Sequence, residues 1–160
     1  MPPCLDVYVW VPGCEPDVFR AFVDRYVAVD DPGDERLHPF LRTYVTGSPH
    51  SGDAEALRGL SRSANAGSGF SLYVRARDHY QAIITVTSEG ATVLGLSLDD
   101  LDNSAQTLEQ AAELIGRLRQ EFSSPAGVAG IELPPAQSRE EWNDDGLVQL
   151  RIGDLPEDVG

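Results

Sequence analysis

Leu5, Val7, Val9 and Val11 alternate with Asp6, Tyr8 and Trp10, a period of two that predicts a strand ended by Pro12-Gly13. The period then lengthens. Val18, Phe19, Phe22, Val23, Tyr26 and Val27 recur at helical spacing, with Pro16 suited to the first turn and Glu15 and Asp17 placed to favour the helix N-terminus. Residues 30–34 read as a loop, and Leu37, Phe40, Leu41, Tyr44 and Val45 predict a second helix over about 38–45. After a turn-rich link at 47–52, Asp53 is expected to cap a third helix over 54–63 with Ala56, Leu57 and Leu60 inward. Period two returns at Phe70, Leu72 and Val74, then over 80–87 and 91–98, where Leu94, Leu96 and Leu98 share a face. Gly90 suits the left-handed position of the second turn, so about 70–98 reads as a three-stranded antiparallel meander.

Leu108, Ala111, Ala112, Ile115, Leu118 and Phe122 mark the clearest helix, capped by Asn103 or Ser104 and ended by Ser123-Ser124-Pro125. A short strand is expected over 128–133, weakened by Gly127 and Gly130, then a polar loop from Pro134-Pro135 through Trp142 to Asp145. A last strand over 147–152 puts Val148, Leu150 and Ile152 together. The fold class that follows is α+β: a largely antiparallel sheet packed with about four helices on one face. The chain of 160 residues reads as a single domain over 1–153, with a flexible acidic tail over 154–160.

Charge narrows the function more than the pattern does. There are 26 acidic residues against 12 basic ones, for a net charge of −14 and a pI near 4.4. All of the basic residues are Arg. Without Lys, Schiff-base catalysis and the phosphate-binding lysine of a P-loop are excluded. Nucleic acid is not an expected partner, because its affinity comes largely from cationic neutralisation of phosphates. A membrane is not expected either: the longest apolar run, residues 7–11, is far short of the roughly 20 that a span needs. That run also lacks the basic flank of a secretory signal, so a cytoplasmic protein is expected. Residues 15–35 carry −5, residues 36–98 carry +2 and residues 99–160 carry −10. Cys4 and Cys14 flank the first strand, too far apart along an extended chain to bridge, and are expected to be free thiols.

Catalytic constellations are missing. The chain has no HExxH, CxxC, GxGxxG or GxSxG, and Gly95-Leu96-Ser97-Leu98-Asp99 lacks the second Gly of the last. His38, His50 and His79 sit in three separate segments. Asp99, Asp100 and Asp102 resemble a metal-binding turn only in part. A calcium loop started at Asp100 would place Gln106 at position 7 and Ala111 where a bidentate Glu belongs. No cofactor or metal is therefore expected.

Glu140, Glu141, Asp144 and Asp145 surround Trp142, which suits protein recognition: an aromatic anchor with acids that steer a basic partner. The competing reading folds Trp142 back onto the core. Tyr8 and Trp10 are likewise exposed if the sheet is covered on one side and core if it is covered on both. The expected function is a non-enzymatic acidic protein-binding module whose partner-facing residues are Glu140, Glu141, Trp142, Asp144, Asp145, Asp99, Asp100 and Asp102. In type, though in no defined residue, the chain is similar to small acidic α+β proteins of bacterial toxin–immunity systems, which capture a basic toxin or effector. A secretion-chaperone-like, structural or regulatory subunit is the first alternative. A small enzyme with an unrecognised site is the second.

Overall fold

Six strands form one antiparallel sheet in the order β2-β3-β4-β1-β5-β6. The computed structural model describes residues 4–60, 69–99 and 105–156. Along the chain the elements are β1 (Cys4–Val11), α1 (Pro16–Tyr26), α2 (Leu37–Tyr44), α3 (Asp53–Arg58), β2 (Phe70–Val74), β3 (Gln81–Val86), β4 (Thr92–Asp99), α4 (Ala105–Phe122), β5 (Ala126–Ile131), α5 (Arg139–Trp142) and β6 (Leu150–Gly153). The expected α+β class and the 70–98 meander are both present, and Gly90 turns β3 into β4 at φ 82°. β4 and β5 both run antiparallel to β1 and lie on either side of it, so α4 crosses over the strand that opened the chain.

The odd-numbered positions of β1 face the helices. Leu5, Val7, Val9 and Val11 pack with Phe19 and Phe22 of α1, Phe40 of α2, Leu57 of α3 and Ile115 of α4 in the larger core. Phe19 and Phe40 meet edge to face at 5.0 Å. The even-numbered positions carry a second, smaller core in which Tyr8, Trp10, Ile83 and Val93 are buried with Ala136 and Trp142. Helices α1–α4 thus lie on one face, as the sequence implies. The other face is closed by the segment after β5, with its one-turn helix α5. Tyr8 and Trp10 are core.

Three local expectations need correction. Asp53 opens α3 and does not cap it; Gly52 holds the cap position at φ 92°. The Asp53 carboxylate instead accepts two hydrogen bonds from Arg42 and one from the His50 amide, which holds its carboxyl down at about 2. The end expected for that helix, and the Asn103 or Ser104 cap of α4, lie outside the described residues. β5 runs two residues earlier than the alternation implied, because Glu132 takes φ 52° and ends the strand. Val148 packs on the smaller core while Leu150 and Ile152 pack on the larger one, since regular pairing starts only at Leu150.

The glycines that weaken β5 by propensity are the residues its packing demands. A Cβ at Gly127 would run into the Ile115 side chain and sit 3.2 Å from the Tyr8 carbonyl oxygen, and one at Gly130 would meet the Leu147 carbonyl. Gly127→Ala is expected to cost about 1–3 kcal/mol through overpacking against α4, read as a lower urea midpoint with an unchanged slope. An unchanged midpoint would mean that α4 does not press on the sheet at this point.

Cys4 and Cys14 are not joined by a disulfide. Cys14 sits against the β3–β4 turn, its Sγ 3.3 Å from the Gly90 carbonyl oxygen, and burial pushes its thiol up.

Candidate functional site

Beyond β5 the chain turns back over the smaller core, and four attachments fix its course. Glu132 clamps the start of β1: its amide donates to the Cys4 carbonyl at 3.0 Å and its carboxylate accepts from the Cys4 amide at 3.1 Å. The Tyr8 hydroxyl donates to the Leu133 carbonyl at 2.6 Å. Gln137 donates to Ser71 Oγ at 3.0 Å, and Ser71 in turn bonds Thr85, which ties the segment to β2 and β3. Arg151 of β6 donates to the Trp142 carbonyl at 2.8 Å.

Between the last two attachments lies α5. Ser138 caps it by accepting from the Glu141 amide at 3.1 Å, while the Glu141 carboxylate reaches back to the Gln137 amide at 3.3 Å. Ser and Glu three residues apart are the usual signal of a helix start, so α5 was legible in Ser138-Arg139-Glu140-Glu141 although the segment reads as polar loop.

Trp142 is not an exposed anchor. It is 2 % exposed and meets Trp10 edge to face at 5.5 Å, so the chain's two tryptophans pack together on the covered face. The reason is geometric. One helical turn after Ser138 points position 142 at the sheet while Glu140 and Glu141 stay exposed. The Arg139 guanidinium lies 6.0 Å from the Trp10 ring and donates to the Pro156 carbonyl, so it closes the same packing from the side. Leu155, expected in the tail, packs against this core as well.

The four acids around Trp142 are exposed. Asp144 turns the chain by accepting from the Gly146 amide at 3.0 Å, and Asp145 pairs with Arg151 at 2.8 Å. Beside them the segment leaves a hollow of about 270 Å³, lined by Leu133, Pro134, Ala136, Glu141, Asp144 and Leu147 among others. Leu147 is 56 % exposed, the highest value among the exposed large apolar side chains of the described residues. Sequence reasoning missed this leucine by placing it in a strand. Asp99 ends β4 in register with Cys4. Asp100 and Asp102 lie outside the described residues.

The chain matches no protein-family model, no curated protein and no solved structure. The hollow is smaller than the roughly 300–1,000 Å³ of most small-molecule sites, and is sized for one or two side chains. Among the described residues no group of three or more His, Cys, Asp and Glu is placed to hold a metal ion. No helix among them is long and apolar enough to cross a membrane.

Proposed function

We propose that the chain is a non-enzymatic protein-binding module that captures a basic segment of a partner protein at the hollow between Leu133 and Leu147. The observation that carries this reading is the pairing of an apolar hollow with carboxylates on its rim. Glu141 and Asp144 line it, Glu140 stands on the same helical turn, and Leu147 offers apolar surface beside them. Of the two nearby cations, Arg151 is spent on Asp145 and Arg139 is directed to Pro156. An arginine-bearing, partly apolar segment satisfies both halves of such a site. Trp142, buried against Trp10, fixes the helical turn that carries Glu140 and Glu141, and the anchor comes from the partner. Such a role fits an immunity or inhibitor protein that intercepts a basic toxin or effector, for which fast association is the useful property. Electrostatic steering raises association rates by about 10–10³.

Affinity capture with the wild-type chain and with the variant Glu140→Gln, Glu141→Gln, Asp144→Asn and Asp145→Asn tests the reading. The wild type is expected to retain a basic protein at low salt and release it as salt rises. The variant is expected to melt within a few degrees of the wild type and to associate with the same purified partner about tenfold more slowly or worse. Equal association rates for the two would remove the carboxylates from the interface.

A further inference from the structure

A second concave surface lies at the β2 edge of the sheet. Tyr73 of β2, Ile83, Gly95, Tyr8 and Val128 of β5 form one row across five strands in register. From Val128 the row runs on to Arg151 of β6. Tyr73 stands at its other end, about 19 Å from Val128, four strand spacings of roughly 4.8 Å. Between Tyr73 and Tyr80, 44 % and 49 % exposed, opens a groove of about 420 Å³. These two rings are the exposed aromatics among the described residues, and one groove holds both. Its opposite wall is the loop Pro32-Gly33-Asp34, and its polar groups include Gln81 and Arg75.

From this arrangement we infer that the groove between Tyr73 and Tyr80 docks a proline-rich segment of a partner protein in the polyproline II conformation, flanked by a basic residue. Three ways of binding an extended or helical segment compete here, and the structure disfavours two. Strand addition needs free backbone groups at the sheet edge. Past the end of β2 those groups are already used: the Arg75 amide donates to the Pro32 carbonyl at 2.7 Å, the Ala28 amide to Arg75 at 2.9 Å and the Arg77 amide to Tyr26 at 3.0 Å. An amphipathic helix needs an aliphatic floor, whereas Val74 and Pro32 at this groove are themselves buried. What remains exposed is aromatic rings interleaved with side-chain donors. A polyproline II segment uses that combination, since its rings stack on tyrosines and its carbonyls, unpaired within the segment, accept from groups such as Gln81 and the Tyr80 hydroxyl.

The preference for a basic flank comes from the wall. Residues 30–35 carry Asp30, Asp31, Asp34 and Glu35. Arg36 chelates Asp34 through its Nε and Nη2, and Arg75 pairs with Asp31, which leaves the wall with more carboxylates than cations. A cation on the ligand just outside the proline run meets that surplus, and a carboxylate there is repelled.

Fluorescence anisotropy with a labelled peptide of four prolines and one flanking arginine tests the inference on the full-length protein. The expected result is saturable binding that weakens about tenfold in Tyr80→Ala and in Tyr73→Ala, both of which keep the wild-type melting temperature. Binding should also weaken when the arginine is replaced by glutamate and vanish when the prolines are replaced by glycine. Binding that survives both tyrosine substitutions, binding that ignores the prolines, or no binding at millimolar peptide overturns it. Sedimentation that shows self-association abolished by Tyr80→Ala also overturns it, because the occupant is then a second copy of this chain. The Glu140–Asp145 variant is expected to bind this peptide as the wild type does, so failure here leaves the acidic hollow untouched.

Discussion

Trp142→Ala is expected to destabilise the free protein by about 3–5 kcal/mol, the usual cost of deleting a buried aromatic ring. At roughly 2–4 °C per kcal/mol for a chain of this size, the melting temperature falls by about 6–20 °C. The loss exceeds that of one side chain's burial because Trp142 is a shared support. Its ring contacts Trp10 in the smaller core, and the burial of that ring sets the direction in which the helical turn presents Glu140 and Glu141. The substitution should also shift the emission of Trp10 to longer wavelength, since the ring that shields it is gone. A melting temperature within two degrees of wild type would place Trp142 on the surface and return it to the list of partner-facing residues.

Asp6→Asn is expected to stabilise the protein at neutral pH. Asp6 lies on β1 facing the covered side, 7 % exposed, where Ser97 Oγ donates to its carboxylate at 2.5 Å. Burial, reinforced by the nearby Glu132 carboxylate and opposed by the Ser97 bond, pushes its carboxyl up to about 6. The folded chain therefore keeps a proton on Asp6 that the unfolded chain, with an ordinary value near 4, gives up sooner. The stability tied to that proton is fully present below about pH 4 and is lost as pH rises through about 6. A shift of about two units is worth at most about 3 kcal/mol. Asparagine keeps the oxygen that Ser97 bonds and never ionises. Melting curves of the two proteins from pH 4 to pH 8 should diverge as pH rises, with the variant higher by several degrees at pH 7.5. Parallel curves, or a variant that is lower at pH 7.5 and equal at pH 4, would contradict a buried, proton-binding Asp6.

The parts of the fold that were legible in the sequence are those where one period governs a whole element. The alternation at Leu5–Val11 and at Phe70–Val74, and the stripe from Leu108 to Phe122, each correspond to the strand or helix they predict. Legibility failed where tertiary contact outweighs local preference. Gly127 and Gly130 weaken a strand by propensity, yet β5 runs through both because α4 and the returning chain press too closely for a Cβ. Asp53 has the right type and place for a cap, but its carboxylate is more strongly held by the Arg42 guanidinium eleven residues back. Trp142 shows the same limit at the candidate site. Its acidic neighbours mark a surface, and only the single turn of α5 separates its direction from theirs. The exposed Leu147 and the juxtaposition of Tyr73 with Tyr80 depend on the course of the chain after β5 and on strand register. Neither leaves a periodic trace in the sequence.

The central claim is that a basic segment seats in the hollow between Leu133 and Leu147, and amide chemical-shift mapping of the isotope-labelled protein tests it most directly. The probe is a six-residue peptide of alternating arginine and leucine, free of proline so that the tyrosine groove has no reason to respond. Saturable shifts confined to the amides of residues 132–149, weakened by salt and absent in the four-acid variant, are the predicted result. Shifts spread over the helical face, or shifts at the hollow that persist after the four carboxylates are neutralised, would contradict the account.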